Sequence, residues 1–142
     1  MDVHSIETRS YNMSRIRSKD TKPEIIVRRY LFKKGFRYRK NVKKLTGKPD
    51  IVLRKYKTTI FVNGCFWHGH DKCKDSHIPK SNSEWWREKI YRTKQRDQAH
   101  YSQLEKDGWN VIVLWDCDLK PKTKDVTLEK LIESIILNLP RK

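Results

Sequence analysis

The stretch from Ile60 to Cys73 constrains the fold of this chain more than any other. It begins with an apolar, β-branched run that is typical of a buried strand, and it leaves that strand through the turn dipeptide Asn63-Gly64. A core strand needs no metal-binding side chains, so the residues after the turn predict a functional loop at a strand end. The loop offers Cys65, His68, His70, Asp71 and Cys73.

The charge of the chain points to a nucleic-acid partner. Its 142 residues carry 33 Lys and Arg against 17 Asp and Glu, a formal charge of +16. Cations bind phosphates and the five Trp, six Tyr and four Phe can stack on bases. A ribosome-bound or merely soluble basic protein is the alternative. No run of about 18 apolar residues is present, so no membrane span is expected.

The periodic segments predict an α/β protein with a mixed sheet and helices on both faces. The length suits one domain over 1–142, with a basic arm over 1–20 and a core over 21–142. Two or three antiparallel strands in sequence are expected first, and the continuous apolar run of the fourth strand predicts a central position in the sheet. The elements are a helix from Lys22 to Gly35, strands Phe36–Lys40, Asp50–Leu53 and Thr58–Val62, a helix opened by the capping pair Ser81 and Glu84 and ended by Gly108, a strand Trp109–Trp115, and a helix over about Thr127–Leu139.

Three cysteines and a histidine predict a structural zinc site. An odd cysteine count without a secretory signal favours reduced thiols or metal ligands over disulfides. Four ligands of the Cys3His type close a tetrahedral site, which stiffens a loop and leaves no position for substrate. Rival ligands are His68 and His77, and unmetallated buried thiols are the simpler alternative. The expected ligands are Cys65, His70, Cys73 and Cys117.

Asp50 is the candidate catalytic carboxylate. It follows Pro49 at the mouth of an apolar strand, where an acid can hold Mg²⁺ against a scissile phosphate. A solvated aspartate at a strand start is the alternative. Glu24 either completes a capping box with Thr21 or reaches metal-bound water. His68 is a candidate to take or give a proton.

Aromatic and basic side chains form the candidate DNA contacts. Phe66 and Trp67 lie between polar turn residues, in a loop that a metal makes rigid, and with Trp86 they are suited to wedge between base pairs. Core packing is the usual fate of such rings. The arm over 1–20 either folds over DNA or is a frayed terminus. Its candidate contacts are Met13, Arg15 and Arg17.

These residues together resemble the very-short-patch-repair (Vsr) DNA mismatch endonucleases. The likeness runs from Arg9 to Cys117, nearly the whole chain. The motifs that carry it are Gly47-Lys48-Pro49-Asp50, Phe61-Val62-Asn63-Gly64-Cys65-Phe66-Trp67-His68, Glu84-Trp85-Trp86-Arg87-Glu88-Lys89-Ile90 and Gly108-Trp109-Asn110-Val111.

The resemblance implies a restriction-endonuclease-like core that nicks one strand of duplex DNA, 5′ to the thymine of a T·G mismatch. It implies Asp50 and the main-chain carbonyl of Val62 as Mg²⁺ ligands, Glu24 in a supporting position, and His68 polarising water or steadying the phosphate. The four zinc ligands and the aromatic wedge take the roles given above. The implied setting is the bacterial cytoplasm, with nucleoid DNA as the partner, a monomeric enzyme and other mismatch-repair proteins as possible associates.

Two departures from the family pattern bear on the site. Val62-Asn63 stands where the best-known member has Thr-His, so a main-chain ligand survives but one imidazole is lost. Asn63 can bond a phosphate but carries no charge, so rate and pH dependence are expected to differ. The spacing from His70 to Cys73 is one residue longer, which keeps His68 a rival ligand. The alternatives are a nicking or restriction-type nuclease without mismatch preference and a non-catalytic, zinc-stabilised DNA- or RNA-binding module.

Overall fold

The computed structural model describes residues 21–71, 73 and 77–137. The arm with Met13, Arg15 and Arg17, and the end of the last predicted helix, lie outside the described residues. The predicted order α-β-β-β-α-β-α is confirmed. The elements are α1 (Lys22–Lys33), β1 (Arg39–Lys40), β2 (Ile51–Leu53), β3 (Thr58–Asn63), α2 (Ser83–Lys106), β4 (Asn110–Trp115) and α3 (Lys124–Leu137), with 3-10 turns at Arg54–Tyr56 and Asp116–Leu119.

The sheet is mixed and has the strand order β1-β2-β3-β4. As predicted, β1, β2 and β3 are antiparallel. β4 runs parallel to β3, with Thr58 beside Asn110 and Asn63 beside Trp115. The prediction of a central position for β4 is wrong, because β3 is its only partner among the described strands.

The apolar run of β4 comes from coverage of its two faces rather than from two neighbouring strands. On one face Ile112 and Leu114 join the core, and α2 lies against the strand. A strand covered in this way reads as continuously hydrophobic even at a sheet edge. Because no described strand covers its outer edge, its residues are only partly buried, except for Leu114.

Helices cover both faces of the sheet, as predicted. Successive strand residues point to opposite faces. One face packs against α1 and α3 in a core made by Ile51, Leu53, Ile60, Val62, Val27, Leu31, Leu128, Leu131 and Ile135. The other face carries Phe61, whose ring centroid lies 4.9 Å from that of Tyr101 on α2.

Two glycine stops explain where the predicted elements end. After α1, Gly35 N–H donates to the Phe32 carbonyl and Phe36 N–H to the Leu31 carbonyl, with φ of +92° at Gly35. This is a Schellman ending, which occupies Phe36 and delays the first strand to Arg39. The same pattern at Gly108 ends α2 as predicted.

The two predicted helix starts differ in outcome. Thr21 caps α1, since its hydroxyl accepts from Glu24 N–H at 3.5 Å. At α2 the capping pair led by Ser81 is wrong. The cap residue is Asn82, which has φ of +53° and no side-chain capping bond, so the helix begins at Ser83. None of the described helices is long and apolar enough to cross a membrane.

Candidate active site and metal cluster

A cleft of about 1180 Å³ opens where α1 begins and β3 ends. Its lining includes acids from four different parts of the chain and lysines that are mostly exposed. Lysines at the mouth attract a polyanion, while acids deeper in the site are suited to bind a cation. The acids are Glu24, Asp50, Asp97 and Asp116, and the lysines are Lys22, Lys48, Lys120 and Lys124.

Asp50 lies at the point where β2 begins, with its carboxylate directed to β3. Its Oδ2 accepts a hydrogen bond of 2.7 Å from Val62 N–H. Burial is the largest of the causes that raise the pKa of this carboxyl to about 7, and the charge of Glu24 contributes to the same rise. The Val62 hydrogen bond and the nearby His68 and Arg28 oppose that rise in pKa. The carboxyl therefore exchanges a proton near neutral pH, which is unusual for an aspartate.

Val62 presents its backbone to the same carboxylate. In an antiparallel ladder the N–H and C=O of one residue point to the same neighbouring strand. Because the Val62 N–H points to Asp50, its carbonyl leaves β3 on that side also. Two oxygen donors from neighbouring strands thus lie on one side of β3.

A histidine–aspartate pair forms the second titratable element of the cleft. His68 lies in the tight turn after β3, where its N–H donates to the Gly64 carbonyl at 3.1 Å. Its Nδ1 lies 2.7 Å from Oδ2 of Asp97 on α2. Asp97 was not predicted from the sequence. It lies in the polar middle of a helix, where an aspartate in a site and an aspartate exposed to solvent have the same sequence surroundings. Pairing of Nδ1 leaves Nε2 as the nitrogen available for chemistry.

Asn63 and Glu24 are the other two predicted catalytic residues, and both are buried. Asn63 donates through Nδ2 to the hydroxyl of Tyr101 at 2.9 Å. Glu24 is 2% exposed, lines the cleft and is close enough to Asp50 to raise the pKa of that carboxyl. The structure therefore brings all four predicted catalytic residues to one cleft, since Asn63 and His68 line it as well.

The four predicted zinc ligands come together at the ends of the two parallel strands. Asn63 and Trp115 are paired, and each chain continues two residues further to a cysteine, Cys65 or Cys117. Parallel register therefore places these two thiols side by side. The donor atoms of Cys65, His70, Cys73 and Cys117 all lie within 4.8 Å of one another.

His70, rather than its rival His68, belongs to this cluster. Its N–H donates to the Cys65 carbonyl at 2.9 Å, and its ring stacks on Trp115 with centroids 4.2 Å apart. These contacts direct Nδ1 to a point 3.4 Å from Cys117 Sγ. The other rival, His77, is exposed and is not part of the group.

The electrostatics of the cluster fit a bound cation. Burial and the neighbouring thiols of Cys65 and Cys73 together raise the pKa of the Cys117 thiol to about 12, with burial the largest cause. Burial also raises the pKa of Cys65. Thiolates that lie close together repel one another, and a bound cation offsets that repulsion. Three sulfurs and one imidazole nitrogen are the donor set of a closed Cys3His site.

The predicted wedge residues form one aromatic cluster with an additional ring. Phe66, Trp67 and Trp86 have centroids 5.2 to 6.0 Å apart. Trp86 is only 3% exposed, whereas Phe66 and Trp67 are partly exposed. Trp85, which sequence reasoning did not select, is 50% exposed and lies 4.7 Å from the Trp86 centroid. Trp86 therefore supports the rings above it in this structure.

Comparison with known proteins yields consistent relatives. A profile for DNA mismatch endonuclease Vsr matches residues 1–74. The type II nicking enzyme V.NmeAIP of Neisseria meningitidis is 54% identical over 121 residues, covering 85% of this chain and 86% of that protein. V.XorIIP of Xanthomonas oryzae is 44% identical over 118 residues, covering 83% and 86%. DNA mismatch endonuclease Vsr of Escherichia coli is 38% identical over 134 residues, covering 94% and 85%.

All of these relatives are named as enzymes that cut DNA, and the identities extend across most of both chains. The chain is accordingly a DNA endonuclease, a hydrolase of phosphodiester bonds, and the alternative of a non-catalytic module is set aside. Within that class it belongs to the Vsr family. The resemblance drawn from the motifs is thereby confirmed.

The raised pKa of Asp50 predicts how stability changes with pH. A carboxyl whose pKa rises from 3.8 to about 7 on folding stabilises the protein fully below pH 4, and this contribution is lost as pH rises through 7. Asp50→Asn keeps a neutral acceptor for Val62 N–H. Its advantage in unfolding free energy over wild type should grow by about 2 kcal/mol between pH 5 and pH 8. Urea denaturation without added Mg²⁺ measures this difference.

Glu129→Gln is the control, because it removes one negative charge from an exposed position on α3. Its unfolding free energy at pH 5 and pH 8 measures the effect of losing a charge that is not buried. An Asp50→Asn advantage that is equal at pH 5 and pH 8 would contradict the assignment of a buried, protonated carboxyl.

The loop that joins the two sites depends on close packing at Gly69. This glycine has φ of +60°, and a β-carbon would overlap Cγ2 of the buried Ile90. Gly35 also has positive φ, +92°, but has nothing within 4 Å of its β-carbon position. Gly35→Ala should cost about 1 kcal/mol from backbone strain alone, and Gly69→Ala about 3 kcal/mol from strain and overlap. Chemical denaturation of both variants compares the two costs, and equal losses would refute the packing role.

Proposed function

We propose that this enzyme nicks one strand of duplex DNA on the 5′ side of the thymine in a T·G mismatch. The observation that carries the proposal is the convergence of Asp50 and His68 on one lysine-rimmed cleft. The Escherichia coli relative is named a DNA mismatch endonuclease. We further infer a restriction-endonuclease-like core, because the acid begins the strand that pairs with the middle strand of a mixed sheet.

Asp50 and the Val62 carbonyl would hold the catalytic Mg²⁺. Both are hard oxygen donors, the type that Mg²⁺ prefers. A carboxyl with a pKa of about 7 loses its proton readily when a cation replaces it. When bound, Mg²⁺ supplies neutralisation of the charge that develops on the phosphate and polarisation of the attacking water.

His68 would act as the general base. We place its proton on Nδ1, donated to Asp97, so that Nε2 accepts a proton from water. The water oxygen attacks phosphorus, one P–O bond to the adjoining sugar breaks, and the departing sugar oxygen takes up a proton from solvent. Asp97 acts as a positioning residue, because it holds the ring orientation and stabilises the imidazolium.

Glu24 and Asn63 would support this chemistry rather than perform it. Glu24 lies buried near Asp50 and favours its protonated form until a cation binds. Asn63 lines the cleft and is anchored by Tyr101, an arrangement that suits a hydrogen bond to phosphate. With an amide here instead of an imidazole, His68 is the one titratable base proposed for this site.

The aromatic cluster and the basic arm would bind the DNA at the mismatch. Phe66 and Trp67 are partly exposed and rest on the buried Trp86, so they have the support that a wedge between base pairs requires. The arm contributes Met13, Arg15 and Arg17, which we place against the DNA. The proposed setting is the bacterial cytoplasm, where a monomer acts on nucleoid DNA with other repair proteins.

A nicking endonuclease without mismatch preference is the second candidate. It is favoured by one observation, since two of the relatives are named type II nicking enzymes. Those names specify no mismatch. Both candidates share the cleft, the metal and the base, and they differ only in what the aromatic cluster selects.

Nicking of matched and mismatched duplexes distinguishes the two candidates. Duplexes that differ only in one T·G pair should be nicked unequally with Mg²⁺, the mismatch at least about a hundredfold faster if the wedge contributes about 3 kcal/mol to discrimination. Asp50→Ala should lose at least about a thousandfold in nicking rate. Equal cutting of both duplexes would refute mismatch repair, and persistent nicking by Asp50→Ala would refute the catalytic assignment.

The second metal is proposed to be structural zinc in the Cys65, His70, Cys73 and Cys117 cluster. Purified protein should contain one zinc per chain, and Cys117→Ser should reduce zinc content by at least tenfold and destabilise the fold. His77→Ala is the matched control, because it removes a nearby donor outside the cluster. Metal analysis and thermal denaturation measure both effects. Full zinc content in Cys117→Ser would contradict the ligand set.

A further inference from the structure

A second groove lies between α1 and the edge strand β1. It has a volume of about 520 Å³. The α1 residues that line it recur at i, i+3, i+4 and i+7, so they share one helix face. Its lining consists of Ile25, Arg28, Arg29, Phe32, Arg37, Tyr38 and Lys40.

The charge of this groove is of one sign. Four of its seven lining residues are Lys or Arg, and none is acidic. Arg29, Arg37 and Lys40 are exposed. A groove of uniform positive charge concentrates field lines and attracts an extended polyanion.

Arg37 is held in a form that suits phosphate. Its guanidinium carbon lies 4.5 Å from the centroid of the Phe32 ring, and Nη1 donates to the Phe36 carbonyl at 3.4 Å. Phe32 itself is 59% exposed, an unusual position for a large apolar ring. A guanidinium stacked on a ring is pre-oriented, and its edge keeps N–H donors for phosphate oxygens.

The groove and the active-site cleft are both lined in part by residues of α1. Glu24 and Ile26 line the cleft, while Ile25 and Arg28 line the groove. Arg28 connects the two, because it lines the groove and its charge also acts on Asp50. From Glu24 to Phe32 the helix rises about 12 Å. Along B-DNA that distance corresponds to roughly three to four base pairs.

We propose that this groove binds the phosphodiester backbone of duplex DNA, roughly three base pairs from the scissile phosphate. The inference rests on the proposed function, because it requires that DNA lie in the cleft and that the mismatch set its position there. A duplex is stiff over this distance, so a backbone held at Asp50 continues along a predictable path. The groove offers charge and stacked donors but no base-reading pocket, so its contribution is to affinity and not to sequence choice.

The test uses full-length protein and a 30-base-pair duplex, titrated by fluorescence anisotropy at several salt concentrations without Mg²⁺. Arg29→Ala/Arg37→Ala should weaken binding about tenfold and reduce the slope of log K against log salt by about 2. Arg29→Lys/Arg37→Lys should restore most of the slope. Lys106→Ala/Lys130→Ala is the charge-matched control, since both lysines are exposed on other helices, α2 and α3, and lie outside the two cavities.

Trimming the duplex locates the contact. Ending the DNA within two base pairs of the mismatch, on one side and then on the other, should abolish the effect of Arg29→Ala/Arg37→Ala for one of the two trims. Equal weakening by both alanine pairs, an unchanged salt slope with normal melting temperature, or an effect that survives both trims would overturn the proposal. If Arg29→Ala/Arg37→Ala binds DNA with the affinity of wild type, the proposal is overturned, and an acidic protein segment becomes the better candidate to occupy the groove. Binding is read without nicking, so loss of the proposed catalysis cannot mimic these outcomes. Failure of the proposed mismatch recognition is read separately, as equal affinity of the wild-type protein for the T·G duplex and its fully paired counterpart.

Discussion

The parallel pairing of β3 with β4 is the constraint on which both sites depend. With Asn63 beside Trp115, the two chains leave the sheet together, and each reaches a cysteine two residues later. The Cys3His cluster thereby brings together the loop after β3 and the turn after β4. That loop also carries His68, so one register decides the position of the thiols and of the imidazole proposed as the base.

Burial raises the pKa values of acidic groups in both the cleft and the Cys3His cluster. Partial burial raises the pKa of Asp50 to about 7, against the hydrogen bond from the Val62 amide, which lowers it. Burial likewise raises the pKa values of Cys65 and Cys117. The donors of the two sites differ: carboxylate and carbonyl oxygens in the open cleft, and three sulfurs and an imidazole nitrogen in the Cys3His cluster. Oxygen donors suit hard cations, and thiolate and imidazole donors suit softer ones.

Local patterns predicted the elements, and pairing decided their arrangement. The helix that begins after Thr21 and the stop at Gly108 follow from capping chemistry that lies within a few residues. The edge position of β4 does not, because an apolar run reports how many faces are covered and not how many strands are beside it. The prediction of Ser81 as the cap of α2 was also wrong. Asn82 takes the cap position, because it can adopt the left-handed backbone conformation found there.

The sequence by itself determined the donors and their kinds. It identified Asp50, His68 and the Cys3His set, because residue types and short spacings carry that chemistry. Only the tertiary structure selected His70 over His68, through the stacking on Trp115 and the bond of His68 to Asp97. It also decided that Trp86 is buried beneath the rings it was grouped with. These choices depend on contacts between residues tens of positions apart, and no local pattern records which of two nearby side chains a distant helix will meet.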